Sequence, residues 1–351
     1  MRNKQNISLT KWKVGKTLND LVTKNTMLNI QDYPFFSKNT SLIIKGIAAI
    51  FIMMSHIIGD CPFWVKKLFP GNLWVSVFFF YSAYGLIFSV KNKSQYIDGF
   101  LSRKFFQIYL PFFVAESSYT LLILLKSGQM NPVDTILGCL GLKLTNGSLW
   151  YVIEILVIYL LFNVWVRFFQ LKHKWLWIVS YVIFVILSVA FDIGTCWYIS
   201  TGVFLLGLFL EDIIIWISKL KFPHFLFCKL IPLIFILMYL SNIWIEYNNV
   251  AICGIKPTYI QTFLDMVLSL LFIPLLISVS RIMTRTPRVL INLGKISYEI
   301  YLWHIFVFTV VISIFSHPTI NIVLTVFVTL VLSFIMYFIK CRLLYAIKQK
   351  W

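Results

Sequence analysis

The sequence predicts an all-α polytopic membrane protein with about ten transmembrane helices. Of its 351 residues, 60% are hydrophobic and only 13% are charged, and the mean hydropathy is +0.85. Soluble domains carry about 25% charged residues. Apolar windows of about 20 residues, each long enough to cross a ~30 Å hydrocarbon core, recur along most of the chain.

The chain divides into a basic N-terminal segment, a membrane domain and a basic tail. Residues 1–40 are polar and basic without an apolar core, so they are expected to form a cytoplasmic extension and not a cleaved signal peptide. Residues 41–339 form the membrane domain, and 340–351 form a cytoplasmic tail. The predicted spans are 41–58, 73–90, 105–125, 149–169, 175–191, 196–216, 227–246, 259–280, 296–315 and 319–339.

Lysine and arginine residues fall in alternate loops. Of the 31, 25 lie on one side of the predicted membrane and five on the other, while Lys45 lies inside the first span. Because loops rich in these residues stay in the cytoplasm, both termini are predicted to be cytoplasmic, in agreement with an even number of spans. The basic residues that give the net charge of +18 are explained by this alternation between loops. No nucleic-acid partner is therefore predicted.

Cysteines and histidines show no metal-binding pattern. The six cysteines lack C-x-x-C spacing, and the five histidines are too dispersed for a histidine-box ligand set. This excludes a metal-dependent membrane desaturase or hydroxylase, and no metal site is predicted.

The first span carries two ionisable residues, Lys45 and His56, in the stretch LIIKGIAAIFIMMSHIIGD. At about 100° per residue, eleven steps come within roughly 20° of three full turns, so both side chains share one helix face about 16 Å apart along the axis. An ionisable group inside a membrane span is costly and is by default a functional candidate.

Other polar groups concentrate in the second, third, fourth and ninth spans. They are Ser82 and Gly85, then Arg103, Lys104, Gln107, Pro111 and Glu116, then Trp150 and Glu154, and finally Ser297, Tyr301 and His304.

At these residues the chain resembles the acyltransferase 3 family of integral membrane acyltransferases, over roughly residues 40 to 340. The most specific element is a basic residue, ten intervening residues and a histidine in the first span, met here by Lys45 and His56, although arginine is the more usual first member. Weaker similarities follow in the expected order. They are the region ending at Gly85, the segment from Arg103 to Pro111, the Trp150 opening of the fourth span, and Ser297 to His304.

The resemblance implies acyl transfer from cytoplasmic acetyl-CoA, or another acyl-CoA, to a hydroxyl of a cell-envelope glycan, its lipid-linked precursor or a membrane lipid, in a bacterial plasma membrane. His56 is then the general base, with Glu116 and Glu154 as further catalytic candidates. The predicted donor-binding residues are Lys45, Arg103, Lys104 and Gln107, and the predicted substrate-binding residues are Ser82, Trp150, Tyr301 and His304. The ~16 Å between Lys45 and His56 is of the same order as the length of the pantetheine arm of coenzyme A.

The sequence departs from the family pattern in the third span. Two arginines three residues apart are frequent there, whereas this chain has Lys104 and Gln107, which halves the charge. Some larger members also carry a hydrolase-like domain after the membrane domain, and none is expected here.

Structural roles remain open for each candidate. Lys45 is also suited to reach the lipid headgroups, and His56 to pair with Asp60 one turn later. Glu116, Glu154 and His304 are equally suited to helix packing, and Trp150 and Tyr301 to anchoring at the membrane interface. The competing function is a transporter or flippase for a lipid-linked glycan, against which the lack of an internal repeat argues.

Overall fold

The structure, a computed structural model, describes residues 34–59, 61–93, 95–129, 131–219, 224–251, 256–280 and 287–350. These residues contain no strand. Most of the predicted N-terminal extension lies outside the described residues, as does Asp60. The helices are α1 (Lys38–Ile57), α2 (Phe63–Lys67), α3 (Gly71–Asn92), α4 (Phe100–Lys104), α5 (Leu110–Ser127), α6 (Pro132–Cys139), α7 (Trp150–Phe169), α8 (Trp175–Ala190), α9 (Cys196–Ile199), α10 (Gly202–Leu208), α11 (Leu210–Lys219), α12 (His224–Asn248), α13 (Pro257–Ser280), α14 (Arg288–Lys295), α15 (Ser297–Ile314) and α16 (Pro318–Lys350).

The predicted all-α membrane protein is confirmed. Within the described residues, eight helical stretches are long and apolar enough to cross a membrane, and each overlaps a predicted span. The two other predicted spans are also helical. Span 175–191 is the shorter helix α8, and span 196–216 is a pair of helical stretches bent by 67°.

Two ion pairs lie just after the bend in this broken span. The helical stretches meet at Phe209, and the second has Glu211 and Asp212 in its first turn. Glu211 pairs with Lys91 at the end of α3, and Asp212 pairs with Lys174 just before α8. A straight continuation would carry both carboxylates away from these cations, so the ion pairs are consistent with the change of direction.

Helix α1 lies at the centre of the bundle and contacts α3, α14 and α15. The contact with α14 depends on two glycines that allow the backbones to approach closely. A Cβ atom at Gly294 would lie 2.0 Å from the carbonyl oxygen of Leu42, and one at Gly46 would lie 2.8 Å from the backbone nitrogen of Gly294. This close contact fixes the helix on either side of Lys45.

The third predicted span contains a wide turn. Residues Phe105–Tyr109 between α4 and α5 form a π-helical turn, two residues before Pro111. Proline has no N–H to give to the residue four positions earlier, and its ring crowds that residue's carbonyl. A π turn relieves this conflict without ending the helix. It also changes the relative directions of the side chains before and within it.

The last helix continues into the predicted tail. Helix α16 runs for 33 residues to Lys350, so the described part of segment 340–351 is helical. The ammonium group of Lys340, on α16, pairs with the buried carboxylate of Glu299 on α15. This pair connects the last two helices near the start of α15.

Candidate active site

Two cavities lie along α1 and α3, one beside Lys45 and one beside His56. The Lys45 cavity has a volume of about 310 Å³, and its lining includes Lys45, Phe78, Tyr81, Ser82, Tyr96, Lys104 and Tyr159. The His56 cavity has a volume of about 470 Å³, and its lining includes Ser55, His56, Asn72, Ser148, Trp150, Tyr301 and residues of α2, α12 and α13. Lys45 and His56 thus line different cavities at two levels of one helix.

The Lys45 cavity presents two cations that lack a carboxylate partner among the described residues. The ammonium of Lys45 lies 5.6 Å from the centroid of the Tyr81 ring. The ammonium of Lys104 lies 4.5 Å from the centroid of the Tyr159 ring. Aromatic faces stabilise a cation only partly. Two half-buried ammonium groups on one cavity therefore make an attractive site for a polyanion such as a phosphate group.

Arg103 and Gln107 do not line this cavity. The Arg103 guanidinium donates to the carbonyl of Asp98 at 2.5 Å and to the carbonyl of Tyr96, and it lies over the Tyr96 ring. It therefore holds the turn that presents Tyr96 to the cavity. Gln107 lies exposed in the π-helical turn and, unlike Lys104, does not line the cavity. Ser82, by contrast, lines the Lys45 cavity with the two lysines.

His56 faces its cavity with an exposed imidazole near the end of α1. The start of α3 passes close to the neighbouring Ser55, since a Cβ at Gly71 would lie 2.5 Å from the Ser55 hydroxyl oxygen. Pro70, Gly71 and Asn72 line the same cavity. The first backbone N–H groups of a helix carry partial positive charge, so this part of the cavity favours a developing negative charge.

His304 lies behind His56, fully buried, with the two ring centroids 5.2 Å apart. Its Nδ1 is 2.7 Å from the carbonyl oxygen of Tyr301, an atom that only accepts hydrogen bonds. Nδ1 therefore carries the hydrogen in a neutral ring, and Nε2 is an acceptor. Nε2 is buried and has no partner among the described residues. The ring that packs beside His56 thus has one acceptor without a donor in this part of the chain.

Trp150 and Tyr301 form an aromatic side of the His56 cavity. The Tyr301 hydroxyl donates to the carbonyl of Ser148, and the Tyr301 ring packs against Tyr151 at a centroid distance of 5.7 Å. Both predicted substrate-binding aromatics thus lie beside His56.

Glu116 and Glu154 line neither cavity. The buried Glu116 carboxylate accepts hydrogen bonds from the backbone N–H groups of Thr145 at 2.6 Å and Asn146 at 3.2 Å. It thereby holds the turn that leads to Ser148 in the His56 cavity. Glu154 is hydrogen-bonded to the Thr201 hydroxyl, and its second oxygen is buried with no partner in the described part of the chain.

Several polar groups inside the spans were not predicted as site residues. Asp265 and Asn242 line the His56 cavity, and Glu299 pairs with Lys340. A carboxylate in an apolar window was the available signal for Asp265 and Glu299. The described residues contain no group of three or more histidine, cysteine or acidic side chains suited to hold a metal ion.

Comparisons with known proteins give one match. Residues 43–338 match the family model of acyltransferase 3, which is described as an acyltransferase domain. No curated protein matches the chain. No solved structure matches it.

Proposed function

This chain belongs to the acyltransferase 3 family, and we propose that it is a membrane O-acetyltransferase that uses cytoplasmic acetyl-CoA to acetylate a hydroxyl of a cell-envelope glycan or its lipid-linked precursor. One observation supports this proposal most directly. Two lysines that have no carboxylate partner among the described residues line a cavity at one level of α1, while an exposed histidine lines a second cavity at another level. A donor site and an acceptor site on two sides of a membrane require such an arrangement.

The donor site is assigned to the Lys45 cavity. Coenzyme A carries several phosphate charges, and Lys45 and Lys104 are the cations that line this cavity. Ser82 and Tyr159 supply further polar contacts beside them. Arg103 contributes by holding Tyr96 in place, and Gln107 is the least supported donor contact because it lies outside the cavity.

The acetyl thioester then has to reach His56. On α3, Phe78 lines the Lys45 cavity and Val75 lines the His56 cavity, three residues away. Three residues correspond to about 4.5 Å of helix axis, so the cavities approach each other to within one turn. The pantetheine arm would pass beside Phe78 and carry the thioester from one cavity to the other.

In the reaction, a nitrogen of His56 removes the proton of the acceptor hydroxyl as the hydroxyl oxygen attacks the thioester carbonyl carbon. The start of α3 at Gly71 and Asn72 stabilises the developing oxyanion. The C–S bond then breaks, the ester forms, and the imidazolium returns its proton to the thiolate of coenzyme A. During the reaction His304 Nε2, which has no partner among the described residues, would accept a hydrogen bond from the other His56 nitrogen and so keep the reacting nitrogen unprotonated.

The proposal also requires an orientation, with Lys45 towards the cytoplasm and His56 towards the outside. The loop charges support it, because 25 of the 31 lysines and arginines lie on the Lys45 side of the predicted topology. In a variant without its native cysteines, a cysteine at Lys66 should react with a membrane-impermeant thiol reagent in intact cells, and one at Arg342 should not. Labelling of both positions to the same extent would overturn the orientation.

The function is tested by comparing cells with and without the protein. Mass spectrometry of the envelope glycan fraction should find acetyl esters that depend on the chain, and the purified protein should bind acetyl-CoA saturably. A transporter or flippase would instead change the amount of glycan outside the membrane, leave its acetyl content unchanged and show no affinity for acetyl-CoA.

A further inference from the structure

The His56 cavity has a polar side opposite its aromatic residues, formed by one face of α12 and by one residue of α13. Tyr239, Asn242, Ile243 and Glu246 line the cavity from α12, and Asp265 lines it from α13. Positions i, i+3, i+4 and i+7 share one face of a helix. We call Asn242 and Asp265 the amide–carboxylate pair.

The amide–carboxylate pair offers a carboxylate to the cavity. The Asn242 side-chain N–H donates to the Asp265 carboxylate at 2.7 Å, which holds that carboxylate in place. Asn242 is only 6% exposed, whereas Asp265 is half-buried and lines the cavity. In the described chain the second carboxylate oxygen of Asp265 accepts no hydrogen bond, so it is available to a ligand hydroxyl.

Glu246 differs from the amide–carboxylate pair because its contacts link two helices at the cavity. Its carboxylate pairs with Lys67 of α2 at 2.5 Å, and the Tyr239 hydroxyl donates to the carbonyl of Lys67 at 2.5 Å. These contacts attach α2 to α12. The carboxylate of Glu246 is thus paired with a cation, whereas no lysine or arginine of the described residues forms an ion pair with Asp265.

Charge in the cavity is balanced. Two lysines, Lys66 and Lys67, and two carboxylates, Glu246 and Asp265, line it. A ligand with a strong net charge of either sign therefore gains little, whereas a neutral ligand with several hydroxyl groups finds acceptors on the polar side. Trp150 and Tyr301 offer aromatic faces to its C–H groups. The volume of about 470 Å³ lies in the range of small-molecule sites.

From these contacts we infer that the amide–carboxylate pair is the acceptor subsite and binds adjacent hydroxyl groups of a neutral sugar whose next hydroxyl is presented to His56. The inference rests on the proposed function and adds the substrate class and the residues that select it. The Asp265 carboxylate accepts from the two adjacent sugar hydroxyls, and Asn242 holds that carboxylate in place. An acceptor that lacks adjacent hydroxyls would leave the carboxylate unpaired and be rejected.

The test uses the full-length protein at matched membrane levels with Asn242→Leu, Asp265→Leu and the double variant. Two readouts separate acceptor from donor: the acetyl ester content of the envelope glycan, and the slow hydrolysis of acetyl-CoA by the purified protein without glycan, in which water is the acceptor. Ser241→Ala is the matched control, since Ser241 is exposed on α12 and bonds only the carbonyl of Leu237.

Each variant should lower glycan acetylation by about 10- to 100-fold, the effect of losing a hydrogen bond that involves a charged group, while acetyl-CoA binding and hydrolysis stay within about twofold. The double variant removes both partners, so its folding should be nearly normal. Unchanged acetylation in all variants would overturn the inference, as would an equal loss of hydrolysis and acetylation. If the unaltered protein neither binds acetyl-CoA nor acetylates glycan, the proposed function itself is refuted, and the inference that rests on it is refuted with it.

Discussion

Replacing Lys104 by methionine tests the donor site most sharply. Methionine keeps an unbranched apolar stem against the Tyr159 ring and removes only the charge. The Lys104 ammonium has no carboxylate partner in the described residues, so a phosphate can form a charge-assisted hydrogen bond with it without displacing an existing ion pair. Such a bond contributes about 1.5–3 kcal/mol, which corresponds to a roughly 10- to 150-fold rise in the Kd for acetyl-CoA. Lys45→Met should have an effect of the same size.

Isothermal titration calorimetry of the purified protein with acetyl-CoA measures this change. Lys93→Met is the matched control, because Lys93 lies exposed at the end of α3, on the same side of the bundle as Lys45 and outside the cavity. Salt should weaken binding less in the Lys104 variant than in the unaltered protein, since one screened attraction is gone. A Kd within twofold of normal in both the Lys45 and Lys104 variants would refute the donor-site assignment.

Two further predictions concern residues between and behind the cavities. Phe78→Trp should narrow the route for the pantetheine arm and lower turnover at least about tenfold with little change in acetyl-CoA affinity, whereas Phe78→Ala should keep turnover; equal turnover in both variants under saturating donor would argue against this route. Glu116→Gln should lower the melting temperature and reduce glycan acetylation more than donor binding, because it weakens the hold on Thr145 and Asn146. A variant with normal stability and an abolished reaction would instead favour a chemical role for Glu116.

The helical segments could be predicted from sequence because the apolar windows are long. Lipid offers no hydrogen-bond partners to the backbone, so its N–H and C=O groups must bond to one another, as they do in a helix. The bend at Phe209 could not, since the contacts beside it include ion pairs of Glu211 and Asp212 with residues more than 35 positions away. Bends of this kind are decided by tertiary contacts, which hydropathy does not report.

The candidate site was predictable only in part. Helical periodicity indicated that Lys45 and His56 share a face, and both line cavities that α3 also lines. That Lys104 lines the cavity and Gln107 does not was not predictable. Residues three apart in an α-helix lie only about 60° apart around the axis, and the π-helical turn at Phe105–Tyr109 changes that angle. The approach of His304 to His56 joins residues 248 positions apart, which no local pattern encodes.

The most direct test of the central claim is the acetyl-transfer rate of His56→Gln in proteoliposomes, measured with donor binding on the same sample. Glutamine keeps a polar side chain but cannot take up the hydroxyl proton, so transfer should fall by roughly 10²- to 10⁴-fold while acetyl-CoA binds within twofold of normal. His173→Gln, an exposed loop position away from both cavities, should leave both quantities unchanged. A His56→Gln protein that transfers acetyl groups at half the normal rate or more would contradict the assignment of His56 as the general base.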